Sequence, residues 1–390
     1  MKRKRIVVMG FMGSCPIAGV VWQHVHYIVG LQRLGHEVYY VEDSARLPYD
    51  PIAGEVNVGF EYAEKFLRKL AREFHFEDRW GFCARYLPNM PGAGLNRHSL
   101  RQLYRDADAI LNVCGAQEIT EELEGNDRLI YIESDPGWEQ IKVDQGHAFT
   151  LKHLRAHQTL FTFGENVGTK VFPVPARAVK WLPTRQPVVT DFWKTAKPPA
   201  ASAVFTSIAN WSTRGQKDIT WRGEKYLWSK SAEFLRFIAA PAMSAEPFEL
   251  ATEIKNARTR ARFARNRWRL RPPHHLSANH RLYRDYICGS KGEFTVAKDQ
   301  YVRLKTGWFS DRSACYLAAG RPVITQQTGF TRHYGNGTGL FAFDSLDQIP
   351  EAVQMINRDY CKHSRAASEL AREFFEAENV LRSLLERAGI

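Results

Sequence analysis

The 390-residue sequence contains no run of 18 or more apolar residues, so no transmembrane helix is expected. Cysteine is sparse and scattered: Cys15, Cys83, Cys114, Cys288, Cys315 and Cys361 form no C-x-x-C pair. That argues against a zinc knuckle or a disulfide scaffold and fits a reducing cytoplasm. There is no internal repeat and no low-complexity segment, which excludes solenoids and linker-like chains. The dinucleotide fingerprint G-x-G-x-x-G is missing from the first glycine loop, "GFMGSCPIAG", where a nicotinamide enzyme needs it for close backbone approach to a pyrophosphate. His24 and His26 stand two residues apart, about 200° around a helix, and cannot share an ion. The adjacent His274 and His275 are a weak metal signal, and no metal site is expected.

Acidic residues are outnumbered, 42 against 54 basic ones, and the surplus is local. "EIKNARTRARFARNRWRLRPPHH" holds Lys255 and seven arginines between 258 and 271; without these eight the net charge falls from +12 to +4. The stretch reads as a solvated helix between strands, or as a contact for a polyanion or an acidic membrane. Phe263 and Trp268 interleave with the arginines, as in nucleic-acid binders, although any docked helix also needs apolar residues.

Hydrophobic patterning supplies the architecture. "RIVVM" is a strand. Val21, Val25, Ile28, Leu31 and Leu34 recur at helical spacing, Gly35 stops that helix, and "EVYYVED" is a second strand. This βαβ unit starts at residue 5. The basic opening is therefore read as a core strand rather than a cleaved export signal, and an unprocessed cytoplasmic chain is expected. "ADAILNVCG", "DRLIYIESDPG" and "TLFTFGEN" continue as strands, with "EYAEKFLRKLAREF" an amphipathic helix. The proline-rich segment 186–202 is the expected linker. The pattern then restarts with the strand "ASAVFTSIANW", the helix "KSAEFLRFIAAP" and the strand "FELATEI". A helix and charged loop in "YRDYICGSKGEFTVAK" and the helix–strand unit "SDRSACYLAAGRPVIT" follow. Residues 366–390 carry a helical apolar stripe. Two Rossmann-like α/β units, 1–185 and 203–365, with a helical tail are expected.

Candidate chemistry lies at strand ends and at one helix start. Glu42 and Asp43 end the second strand, where a ribose-binding carboxylate would sit in a dinucleotide enzyme. Glu133 and Asp135 end another. A rim carboxylate can take a proton from a bound alcohol, and Asp before Pro-Gly is also ordinary turn chemistry. Ser310, Asp311, Arg312 and Ser313 open a helix whose free N–H groups suit an anion, with Asp311 turned aside. Lys291, Glu293, Lys298, Arg303 and Lys305 lie upstream, Glu293 suited to a ribose diol and a lysine to a diphosphate.

The block "YRDYICGSKGEFTVAKDQYVRLKTGWFSDRSACYLAAGRPVITQQTGF" resembles bacterial GT-B-fold glycosyltransferases, group-1-like and CgeB-like, and so do "YIESDPGWEQIK", "FTFGEN", "PTRQPV" and the first helix. The resemblance implies two Rossmann-like domains facing a cleft, the N-terminal one for the acceptor and the C-terminal one for the donor. It also implies a final helix crossing back to the first domain. The implied activity is hexosyl transfer from a nucleotide sugar to a hydroxyl of a small molecule, glycan or lipid, without a metal. The nucleotide sugar is a co-substrate, and no cofactor is expected. Asp135 is then the expected general base, with His24 and Glu133 beside it. Lys230, Glu293, Lys298, Gly329 and Ser310 to Ser313 are expected on the donor, and Gly13, Ser14, Trp22 and Glu165 on the acceptor. The ribose glutamate common in the family is replaced by Ala314 or Cys315. A nucleotide-sugar epimerase, a dehydrogenase and an RNA-modifying or nucleic-acid-binding protein are the rival expectations.

Overall fold

The computed structural model describes residues 2–51, 53–56, 58–195, 198–212 and 218–390. Two parallel sheets organise it. Across the first, the strands run Trp181–Pro183, Thr159–Thr162, Leu129–Glu133, Ala109–Val113, Arg5–Met9, Glu37–Ser44 and Trp80–Ala84, with Gly92–Gly94 antiparallel at the edge. Across the second they run Trp268–Arg271, Phe248–Ala251, Phe205–Ile208, Gly292–Thr295, Val323–Gln326 and Leu340–Phe343. Both are doubly wound. Each sheet's opening strand, Arg5–Met9 or Phe205–Ile208, has neighbours from both winding directions. The strand order reverses there, and a crevice opens outside the strand ends at the reversal.

The strands read as continuous apolar runs because helices cover both faces. Ile6, Val7, Val8, Ile110, Leu111, Ile130 and Ile132 are all buried. The helix Ala18–Arg33 follows the first strand and is buried around most of its circumference, His24 and His26 included. The last helix, Ala377–Arg387, returns from the second sheet to cover it. Contact is close at Gly30, where a Cβ would lie 2.6 Å from Leu381 Cδ1 and 2.9 Å from Ala377 Cβ. Among the described residues no helix is long and apolar enough to cross a membrane.

The chain crosses between the sheets twice, and the crossings are hydrogen-bonded to each other. The Val188 N–H donates to Phe375 O at 2.7 Å, and the Ala377 N–H to Val188 O at 2.9 Å. Of the expected linker, residues 196–197 lie outside the described residues. The tail comprises two helices, Tyr360–Phe374 and Ala377–Arg387.

One element departs from the sequence reading. The charged loop expected after the helix His280–Gly289 is instead the central strand Gly292–Thr295, wholly buried. Gly292 permits this, because a Cβ there would sit 2.5 Å from Pro322 O and 2.7 Å from Phe205. The arginine-rich stretch fits one of its readings, a helix between strands: Ala257–Arg265 lies between Phe248–Ala251 and the edge strand Trp268–Arg271, in which Trp268 faces the core and Arg269 and Arg271 face solvent.

Candidate functional site

The two reversals face one cleft of about 590 Å³, lined from the first half by Gln23, Glu133 and Asp135 and from the second by Asn210, Asp311 and Arg312. Its walls are aromatic. Trp308 stacks on Tyr301 with centroids 4.3 Å apart and donates its indole N–H across the cleft to Ser134 O at 2.9 Å. Trp138 meets Trp228 edge-on at 4.8 Å, and the Lys298 ammonium sits 3.5 Å from the Trp228 ring centroid. Sequence reasoning missed Tyr301, Trp228 and Trp308. The two tryptophans stand in short segments leading into helices, "LWSK" and "TGWFS", and that placement was the available signal.

Three cations converge on this cleft. Lys298 pairs across it with Asp135 at 2.5 Å, and the Tyr301 hydroxyl donates to the same carboxylate. Burial opposes that charge, but Lys298, Tyr301 and Lys230 outweigh it and hold the Asp135 carboxyl below its ordinary value. Lys230 opens the helix Ser231–Arg236 and has no carboxylate or hydrogen-bonding partner among the described residues. Burial, and then the charges of Arg312 and Lys298, push its pKa well down. Arg312 donates from Nε to Glu293 Oε1 at 2.6 Å, from Nη1 to Ile208 O at 2.7 Å and from Nη2 to Thr295 Oγ1 at 2.8 Å. Its fork has five N–H donors, so two are left for a ligand. Asp311, the first residue of the helix Asp311–Ala318, has no ion pair among the described residues. Burial, reinforced by nearby Asp135, pushes it up to about 7.

Several expected site residues are placed elsewhere. Glu293 is wholly buried beneath Arg312 and does not face the cleft as a ribose acceptor would. Ser310 does line the cleft and caps the helix without a side-chain hydrogen bond, whereas Ser313 is fully buried. Gly329, at φ +95°, lies where the halves touch; a Cβ there would meet Asn166 Nδ2 at 2.5 Å. His24 is sealed under Gly10 with its Nδ1 2.8 Å from Val20 O, and burial pushes it down to about 4. It belongs to the core. Glu133 does reach the cleft floor, but Gln140 Nε2 donates to both its oxygens at 3.0 and 2.9 Å, and burial pushes its carboxyl up to about 8. Glu165 is held by Arg185 at 3.1 Å through both oxygens and by the Tyr334 hydroxyl, beside a separate cavity. Trp22 lines the cleft with its ring while its indole N–H donates to His280 O at 2.8 Å.

Gly13 and Ser14 are folded around an internal carboxyl. Glu42 accepts from Ser14 N at 2.9 Å, Ser14 Oγ at 2.6 Å, Tyr40 OH at 2.7 Å and the Gly13 N–H. Asp43 holds Arg85 through both oxygens, at 2.5 and 3.0 Å. The loop donors are filled from within and neither carboxyl is open to a ribose, which removes the site a dehydrogenase would need. His153 and His157, four residues apart, pack ring to ring at 5.1 Å. Among the described residues no group of three His, Cys, Asp or Glu side chains could hold a metal ion.

No protein-family model matches the sequence, and no curated protein matches it. Solved structures do match the fold over its whole length. An alpha-glucosyltransferase in complex with UDP superposes with a TM-score of 0.57 at 10% identity, covering 99% of this chain and 100% of that one. Anabaena HepE in complex with UDP gives 0.55 at 10% identity, with 99% of each chain covered. An alpha-glucosyltransferase bound to UDP and a 13-mer DNA gives 0.54 at 11% identity, with both chains covered completely. Two doubly wound sheets, a shared cleft and a returning C-terminal helix are the GT-B fold.

Proposed function

We propose that this protein transfers a hexosyl group from a nucleotide sugar, a uridine diphosphate sugar first of all, to an acceptor hydroxyl. One observation carries the reading: Lys230, whose ammonium makes no salt bridge or hydrogen bond among the described residues, lies 5.7 Å from the ring centroid of the cleft-lining Trp308 and is crowded by Arg312 and Lys298. An arriving diphosphate relieves that repulsion. The UDP in the similar structures supports the choice of nucleotide.

In the proposed reaction the bond from the sugar's anomeric carbon to the diphosphate oxygen breaks, and a bond from that carbon to the acceptor oxygen forms. Lys230, Lys298 and the two remaining Arg312 donors take up the charge that develops on the leaving diphosphate, the contribution that usually dominates. Neutralisation falls to protein groups, so turnover is expected to persist in EDTA. The acceptor proton goes to Asp311. Asp135, the base expected from the sequence, is held by Lys298 and Tyr301 and kept below its ordinary pKa, which weakens it as a base. Asp311 carries no such counter-ion and titrates near the working pH, as a general base should. Two neighbouring carboxyls pushed apart in this way divide the work, Asp135 orienting the cations and Asp311 moving the proton.

Calorimetric titration with UDP, UDP-glucose and NAD tests the reading. Binding of the two uridine ligands, with UDP released on incubation with UDP-glucose, is the expected result. Binding of NAD and neither uridine ligand would sink it.

A further inference from the structure

A second cavity of about 690 Å³ adjoins the cleft, with Ile17 and Asn210 lining both. Its rims come from different halves. One is the antiparallel hairpin Tyr49–Asp50 with Glu55–Val56; the other carries Lys255, Asn256 and His274. Each rim leaves an unusual surface exposed.

On the second-half rim, Lys255, Arg258, Arg262, Arg265, Arg267 and Arg269 are all exposed, and none has a carboxylate partner among the described residues. Two neighbours show the contrast: Arg271 pairs with Glu249 at 2.7 Å, and Arg260 donates to Ile254 O and Lys255 O. The aromatics interleaved with these arginines are not part of that surface. Phe263 and Trp268 are buried and pack on each other at 5.5 Å, with Trp211 and Phe294 around them. The arginine helix and edge strand thus expose charge without an aromatic side chain of their own on which a base could stack; the half-buried Trp211 and Tyr49 face the cavity instead. On the first-half rim Leu47, Val56 and Val58 are 43%, 59% and 68% exposed, with the charged Arg46 and Glu55 exposed among them.

The second cavity joins the two segments, Tyr49, Pro51 and Gly54 facing Lys255 and Asn256 across it, and cations without carboxylate partners together with exposed aliphatic side chains match the two layers of an anionic lipid surface, a charged headgroup plane over an apolar interior. We infer that this face docks on an anionic membrane, with Leu47, Val56 and Val58 entering the headgroup layer and the arginines lying over the phosphates. The cavity between the rims then leads the hydroxyl of a lipid-borne acceptor to the cleft. The acceptor part of this inference rests on the glycosyl-transfer reading; the docking part does not.

The test is co-sedimentation with vesicles of equimolar phosphatidylglycerol and phosphatidylcholine, against pure phosphatidylcholine and against a single-stranded oligonucleotide in solution. The protein is expected to bind the anionic vesicles and not the neutral ones. The triple variant Arg258→Gln, Arg262→Gln, Arg265→Gln should lower partition roughly a hundredfold, since each cation near such a surface contributes about a factor of five. Val56→Ser with Val58→Ser leaves the charge intact and should lower it about tenfold. Circular-dichroism melts should match the parent for both, because every altered side chain is exposed. Equal binding to both vesicle types overturns the inference. So does an unchanged partition in the valine variant, or tighter binding to the oligonucleotide than to anionic vesicles, which would make the partner a nucleic acid. UDP titration of the same samples separates the two readings. Loss of UDP binding with vesicle binding retained breaks only the transfer reading, and the reverse breaks only this one.

Discussion

The two halves share one strand order and treat its reversal point differently. In the first, the glycine loop folds its donors onto Glu42, a carboxyl supplied by the next strand. In the second, Arg312 likewise satisfies an internal carboxylate, Glu293, yet the Lys230 ammonium beside it makes no salt bridge or hydrogen bond among the described residues. A polar group filled from within builds structure; one left open and crowded by like charge is ready for a ligand. Topology alone would have allowed either half to hold a nucleotide.

The sharpest break of that contrast is at Asp311. Asp311→Asn keeps the shape and removes the basicity, and turnover should fall by about 10²–10⁴. In the parent, activity should fall about tenfold per pH unit below pH 7, because the base protonates as pH drops through its pKa of about 7. Steady-state rates across roughly pH 5–9 for Asp311→Asn and Asp135→Asn decide the assignment; a preserved acidic limb in Asp311→Asn would return the role to Asp135.

Arg312→Ala should destabilise the fold by about 3–5 kcal/mol, because Glu293 is left buried and unpaired. Urea unfolding measures this. A change under about 1 kcal/mol would mean that Arg312 serves the ligand alone, as the sequence suggested. Lys230→Met should weaken UDP about a hundredfold while the free protein melts no lower than the parent, since a crowded cation is removed. Parallel calorimetry and thermal melts check both halves of that statement. The smallest effect is expected at Glu42→Gln, which should cost about 1–2 kcal/mol of stability because an acceptor oxygen is lost and buried donors are left unpaired, and should leave UDP affinity unchanged. An altered affinity there would mean that the first half also touches the nucleotide.

What could be read in advance follows the range of the interactions. The helix Ala18–Arg33 and its flanking strands were legible because their spacing is local. The strand Gly292–Thr295 was not, since Lys291 and Glu293 make it look solvated and the partner that permits burial, Arg312, comes 19 residues after Glu293. Asp135 looked like a free rim carboxylate because Lys298 and Tyr301, which occupy it, lie 163 and 166 residues on. His24 looked available because a helix buried on nearly every side reads like one with a wet face. The aromatic interleaving at Phe263 and Trp268 was real in the sequence but belongs to an edge strand and its covering helix.

The paired crossings at Val188 and Phe375–Ala377 carry a mechanical consequence. The chain leaves the first half and re-enters it at one spot, so its two covalent crossings make one pivot rather than two separated tethers, and the non-covalent contacts at Trp308–Ser134 and Lys298–Asp135 are what a swing must break. Swinging the second half about that point stretches neither crossing, and displacement grows with distance from the pivot. The first half, completed by the returning helix Ala377–Arg387 against Gly30, is the anvil against which such a lever closes. A disulfide engineered across the far rims should arrest the swing while leaving both sheets folded.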